Sequence, residues 1–247
     1  MAEELDYKAL LAKVAKTIES IETTGDQAST ISRLAETITR NFRELGITGG
    51  RLYACAEGGY YELIHRFGKS HEGQLGIMVP KNYKPIELVL ENGVVVMEPT
   101  DPGIDPVLEE KLGARRFAAI AVGDEDYILS FSVSPGFKRD DLLYSLNLVR
   151  YAMTEKLRAD RYLSIVAEAQ RIQQSILPQR MPVYSGFDIY GKNIPAESVS
   201  GDFFDFVPIS DSILGLAIAD ASGHGLPAAL LVRDIHMGLR MGADRDF

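Results

Sequence analysis

The residues best suited to chemistry lie late in the chain. Within "VSGDFFDFVPISDSILGLAIADASGHGLPAALL", residues 199–231, two carboxylates, Asp202 and Asp220, stand beside glycines just ahead of an apolar helical run. Short apolar stretches, Phe203 to Val207 and Leu214 to Ala219, flank the turn-forming "ISDSI" and predict an antiparallel hairpin. Such a hairpin brings Asp202, at the start of one strand, to the same end of the sheet as Asp220, at the end of the other. Two carboxylates brought together repel unless a cation lies between them, and hard divalent ions select oxygen ligands of this kind. The pair is therefore a candidate metal site, the alternative being that each aspartate only caps a turn. Gly201, Gly223 and Gly225 allow close backbone approach and are expected to shape the site without chemistry of their own.

Several elements must position these residues. A strand is expected to begin at Phe187, Ile189 and Tyr190, and "LPAALLVRDIHMGLRM" reads as a helix with Pro227 in its first turn. Upstream, Lys138 to Leu177 contain neither glycine nor proline and read as one long helix, ended by Pro178 and Pro182. Its apolar residues, Leu142, Leu146, Val149, Met153 and Leu157, then Leu163, Val166, Ala169, Ile172 and Ile176, recur mostly at three- and four-residue steps. Arg158, Asp160 and Arg161 interrupt the stripe as a polar seam. At ~1.5 Å per residue the helix would run roughly 60 Å. The expectation is a parallel coiled coil joining two protomers, against the alternative of a helix packed on its own domain.

The first half of the chain is organised differently. Leu10, Leu11, Val14, Ile18 and Ile21 mark an amphipathic helix, and Ile31, Leu34, Ala35, Ile38, Phe42 and Leu45 mark a second, ended by Gly46 and the pair Gly49–Gly50. From Arg51 the period becomes two: "RLYACAEGGYYELIHRFG" reads as a hairpin turning at Gly58–Gly59. "QLGIMVP" and "NGVVVMEPT" read as short strands, with "KPIELVLE" between them as a helix or strand. "DPVLEEKLG" reads as a small helix capped by Asp105, and "RRFAAIAVGDEDYILSFSV" as a second hairpin across Gly123–Asp124. Helices flanking antiparallel strands imply an α+β class. His65 and His71 are expected to be structural rather than ligands.

Composition bounds the function. The 247 residues suffice for two domains, and 35 acids against 26 bases, a net charge of −9, disfavour nucleic acid or anionic membranes as partners. No apolar stretch is long enough for a membrane span. A single cysteine, Cys55, expected as a buried thiol on a strand, and the absence of a signal-peptide pattern place the protein in the cytoplasm.

Two resemblances sharpen this reading. The order of two helices, hairpin, variable middle and closing hairpin, over roughly Gly25 to Gly136, resembles a GAF domain, a small sensor module of bacterial signalling proteins, with a PAS-like or roadblock-like module as the alternative; no ligand is assigned to it. Further on, "AEAQRIQQSILPQRMP", "IPAESVSGDFFDF" and "IADASGHGLPAALL" together resemble the opening of the SpoIIE-like branch of PPM-type metal-dependent serine/threonine phosphatases, with Ser200 where that pattern has glycine.

The second resemblance implies that Asp220 bridges two Mn²⁺ or Mg²⁺ ions, that the Ala221 carbonyl adds a ligand and that Asp202 holds the second metal. The metals would supply nucleophile and charge stabilisation for attack on a phosphoserine. Asp205 is left as a supporting or structural residue and His224 as a surface histidine. The substrate so implied is a phosphoprotein, a STAS-domain anti-anti-sigma factor in a stress-response pathway regulating a sigma factor.

The expected organisation is an N-terminal helix (1–24), a GAF-like sensor (25–138), a linker and dimerisation helix (139–178), and the N-terminal part of a PPM α/β/β/α sandwich (179–247). The family's further metal-binding aspartates would lie beyond Phe247, although Asp244 and Asp246 are present. The catalytic domain is thus expected to be truncated, inactive by itself and either covered by dimerisation or poorly ordered. A noncatalytic sensor and dimerisation module is the alternative.

Overall fold

The computed structural model describes all residues except 1–6, 20–25, 43–44, 71–72, 137, 197, 211 and 244–247. Ile21, His71, Asp244 and Asp246 therefore lie outside the described residues, as do the side chains of Leu10 and Leu11. The chain forms two compact units, residues 1–160 and 161–247, and the division falls inside the long helix.

The first unit is built on a six-stranded antiparallel sheet of strands β1 (Ile47–Ala56), β2 (Tyr60–Gly68), β3 (Met78–Pro80), β4 (Val94–Met97), β5 (Phe117–Val122) and β6 (Tyr127–Val133). Their spatial order is β3-β2-β1-β6-β5-β4. The β1–β2 hairpin turns where Gly58 and Gly59 take positive φ, and the β5–β6 hairpin turns through Gly123, Asp124 and Glu125, all three left-handed. The predicted hairpins are thus present, with register partners such as Leu52↔His65 and Ala119↔Ser130.

Helices cover both faces of this sheet. On one face α1 (Tyr7–Glu19), α2 (Gln27–Asn41) and the start of α5 (Arg139–Ile176) enclose a core that includes Val14, Ile31, Leu34, Ile38, Leu52, Ile120, Leu129 and Phe131. α2 begins on Asp26, whose carboxylate accepts from Ala28 N and Ser29 N. On the other face α3 (Lys84–Asn92) and α4 (Pro106–Leu112) close a second core around Tyr53, Tyr61, Leu63, Val89, Leu112 and Phe117. Asp105 caps α4 by accepting from Val107 N and Leu108 N, as its position predicts.

Three expectations change here. Leu142, Leu146, Val149, Met153 and Leu157 are 0–3% exposed and belong to the first core. The sheet of their own unit already supplies the apolar surface they need, so these five are packing residues and not a seam for a second protomer. Gly49 and Gly50 do not end α2 but lie within β1. A Cβ on Gly50 would fall 2.3 Å from the Ser130 carbonyl oxygen and 2.6 Å from the Phe67 ring, so only glycine fits that approach. Cys55, expected to be buried, is exposed near the end of β1.

The second unit contains the end of α5, the antiparallel pair β7 (Asp202–Ser210) and β8 (Ile213–Asp220), and α6 (Gly225–Ala243). Phe203, Ala221, Ala228 and Val232 form its core, with Ile176, Leu177 and Leu239 packed on them. No strand forms at Phe187 to Tyr190, where the chain makes only an isolated bridge between Tyr184 and Phe187.

Candidate functional site

β7 and β8 pair so that Asp202 lies directly opposite Asp220. Residues opposed in an antiparallel pair project to the same face, with Cβ atoms about 5 Å apart. Alternation along β7 separates its two faces. Phe203, Asp205 and Val207 are buried, while Asp202 is exposed, as is Asp220. The two carboxylates thus share the accessible face, at the end of the pair where the hairpin is expected to bring them.

One further backbone bond extends the ladder: Ala221 N donates to the Gly201 carbonyl at 2.9 Å. A Cβ on Gly201 would stand 2.6 Å from the Ala221 carbonyl oxygen and 3.3 Å from Asp220 Oδ1. A carbonyl and a carboxylate oxygen therefore converge on the bare side of Gly201, in a space that any side chain would fill. Gly223 and Gly225, at φ +105° and +68°, carry the chain from β8 into α6 through conformations that favour glycine.

The donor set is two carboxylates and one carbonyl, all hard oxygens, which suits Mg²⁺ or Mn²⁺ held by one or two carboxylates with water completing the shell. Among the described residues no cationic side chain pairs with Asp202 or Asp220, so the like charges face each other uncompensated. Among the same residues no group of three or more His, Cys, Asp or Glu side chains is placed to hold a metal ion. A concavity of about 520 Å³ adjoins the carboxylates, lined in part by Ile189, Tyr190, Phe204, Phe206 and Ile218.

Two supports for the site were not expected from the sequence, and a third gives Asp205 the structural part left to it. Gln173, near the end of α5 and 4% exposed, accepts from Ser200 N at 3.0 Å through Oε1 and donates to the Ser200 carbonyl through Nε2. Ser200 Oγ accepts from Asp202 N at 2.9 Å, and Asn193 Nδ2 donates to the Asp202 carbonyl at 2.8 Å. On the buried face, Arg240 Nη2 lies 2.8 Å and 2.7 Å from the two oxygens of Asp205, joining β7 to α6. Asp205 is therefore a structural ion pair, turned away from Asp202. Gln173 lies inside the segment "AEAQRIQQSILPQRMP", yet helical spacing alone does not distinguish its amide from those of its neighbours.

His224 is exposed at the turn. Leu163, 63% exposed, and the half-buried Val166 lie on the part of α5 that belongs to the second unit.

No protein-family model matches the chain. Among curated proteins it is similar to phosphoserine phosphatase RsbU of Bacillus subtilis, 42% identical over 62 residues that make up 25% of this chain and 18% of that protein. It is also similar to protein IcfG of Synechocystis sp., 28% identical over 121 residues, 46% of this chain and 19% of that protein. The chain thus spans less than a fifth of the length of these curated relatives.

Among solved structures, free methionine-R-sulfoxide reductase from Neisseria meningitidis aligns with a TM-score of 0.48 at 13% identity, over 65% of this chain and 96% of that one. The A. aeolicus Nlh2 GAF domain in an inactive state aligns at 0.44 and 11% identity, over 62% of this chain and 96% of that one. Scores this low assign neither fold family nor function. Among the described residues no helix is long and apolar enough to cross a membrane.

Proposed function

We propose that the chain is the sensor and the first part of the catalytic unit of a metal-dependent protein serine phosphatase. The observation that carries this reading is the direct cross-strand pairing of Asp202 with Asp220, with the Ala221 carbonyl turned to the same side as the Asp220 carboxylate. The partial similarity to a phosphoserine phosphatase supports it.

In this reading Asp202, Asp220 and the Ala221 carbonyl hold Mn²⁺ or Mg²⁺. Such ions, when bound, supply a nucleophile at neutral pH and neutralise charge on a transferring phosphoryl group. The chain's own work is positional. Gly201 leaves room for the converging oxygens, Gln173 fixes the loop that delivers Asp202, and the Asp205–Arg240 pair holds β7 against α6. The apolar concavity beside the carboxylates offers a surface along which a phosphoserine segment can lie. The substrate proposed is a phosphorylated STAS-domain anti-anti-sigma factor.

The first unit would act as the GAF-type sensor. The exposed residues Tyr162, Leu163, Ile165 and Ile172 on α5 would pair two copies of the chain.

The test is a Mn²⁺ titration by calorimetry of the chain and its Asp220→Asn variant, with phosphate release from a phosphoserine peptide followed in parallel. Binding and turnover lost together in the variant support the phosphatase reading. Absence of any Mn²⁺ binding by the unmodified chain would sink it. A second reading, a noncatalytic sensor and dimerisation module, is favoured by the lack of a third acidic ligand among the described residues. Dimerisation intact without Mn²⁺ binding would select that reading.

A further inference from the structure

Arg51 on β1 and Arg66 on β2 are direct register partners. Both are buried, at 0% and 7% exposure. Like charges directly opposite on a sheet destabilise it, and a buried charge without a counter-charge is strongly unfavourable. Among the described residues no carboxylate stands within ion-pair distance of either guanidinium.

Their hydrogen bonds go instead to neutral oxygens. Arg51 Nη1 donates to the Leu112 carbonyl at 3.2 Å, and Nη2 to Ser130 Oγ and Ser132 Oγ, each at 3.2 Å. Arg66 Nη1 donates to the same Leu112 carbonyl at 2.9 Å, and Nε to the Gln74 carbonyl at 3.2 Å. Arg51 Nε and Arg66 Nη2 are buried with no acceptor. Glu109, whose charge reaches Arg51, compensates weakly. Burial pushes its carboxyl above the ordinary range, and its Oε1 is taken by Tyr83 OH at 2.8 Å.

From this pair a line of hydroxyls leads outward. Ser132 Oγ lies 3.0 Å from Ser70 Oγ, and both serines line a cavity of about 1030 Å³. Arg51 donates to Ser132 Oγ, so of the two serine hydroxyl protons one closes the Ser70–Ser132 bond and the other is left to turn outward. Arg115 and Arg116 line the same cavity, as do three carboxylates: Glu98, held by Arg116 at 2.6 Å, Glu109 and Glu110. With Arg51 and Arg66 behind it, the cavity has four guanidinium groups against these three carboxylates, and burial raises the Glu109 carboxyl, so the balance and the hydroxyl donors suit an anion.

We propose that this cavity binds a small-molecule oxyanion, a carboxylate or a phosphoryl group, through the Ser70 and Ser132 hydroxyls, with Arg51 and Arg66 supplying the counter-charge behind them. The proposal is independent of the chemistry in the second unit.

The experiment is thermal unfolding of the chain in metal-free buffer, with sodium phosphate or sodium succinate compared against sodium chloride at matched ionic strength. At saturation one of the two oxyanions raises the midpoint of the first unit by roughly 3 °C or more beyond chloride. Phosphate alone would identify a phosphoryl ligand, succinate alone a carboxylate. The double variant Ser70→Ala, Ser132→Ala removes only half-buried hydroxyls, and there the response weakens at least tenfold in oxyanion concentration. In Arg51→Met the oxyanion response disappears while the unliganded midpoint stays level or rises, since an uncompensated charge has been removed. An unliganded chain that responds to neither oxyanion overturns the proposal. So does a response that survives unchanged in the serine double variant or in folded Arg51→Met.

Discussion

Gln173 closes both hydrogen bonds of its amide on the backbone of Ser200, two residues before Asp202. A buried glutamine side chain thereby does for this loop what a neighbouring strand would do, satisfying one N–H and one C=O. Removing it in Gln173→Ala leaves two backbone groups unpaired, which costs about 1–3 kcal/mol. The expected outcome is a lower unfolding midpoint of the second unit together with Mn²⁺ binding weakened about tenfold, read by calorimetry. Gln173→Glu keeps the acceptor for Ser200 N–H but loses the donor for its carbonyl, and should lower both quantities.

Asp220→Asn should act in opposite directions with and without metal. The metal-free hairpin gains a few tenths of a kcal/mol, because one of two opposed like charges is gone. Mn²⁺ binding is lost. Denaturant unfolding in chelator and calorimetry with Mn²⁺ read the two effects separately, and a destabilised metal-free variant would contradict the repulsion on which the site is argued.

The Asp205–Arg240 pair is asymmetric, with the Asp205 side chain 1% exposed and that of Arg240 47%. Arg240→Met strands a buried carboxylate and should cost roughly 3 kcal/mol. Asp205→Asn with Arg240→Met removes both charges and should recover part of that loss. A double-mutant cycle in denaturant measures the difference.

The two halves of α5 should respond differently to substitution. Leu146, fully buried in the first core, should cost about 2–5 kcal/mol as Leu146→Ala, without change of oligomeric state. Ile172, 49% exposed, should tolerate Ile172→Glu in folding yet lose any self-association, as read by sedimentation.

Glu109 gives the first unit a pH dependence of known sign. Its folded carboxyl is raised above the ordinary 4.5, mainly by desolvation. The folded state therefore binds the proton more tightly than the unfolded one. This contribution to stability is fully present below about 4.5 and is lost as pH rises through the higher folded value. The melting temperature of Glu109→Gln relative to the unmodified chain should climb over that window and then level off.

Much of this was legible in the one-dimensional pattern because it depends on neighbours in the chain. Period-two runs around Gly58–Gly59 and Gly123–Asp124 specified both hairpins of the first unit, and Asp105 specified a helix start. The "ISDSI" segment brings β7 and β8 together antiparallel, so Asp202 and Asp220 reach the same end of the pair by local rules, while the register shift between Pro208 and Ser210 sets them directly opposite. The expected strand at Phe187 failed for the opposite reason: apolar alternation needs a partner, and the chain makes only the Tyr184–Phe187 bridge there.

By itself, then, the sequence determined the order of elements, the hairpin that brings two aspartates to one end of a sheet and the glycines around them. These follow from chain-local sterics and periodicity. Only the tertiary structure decided that Leu142 to Leu157 pack on their own sheet, that Gln173 holds Ser200, and that Arg51 meets Arg66 in the core. Each of these depends on which surface is nearest in space after the sheet has closed, and spacing along one helix or strand carries no record of that.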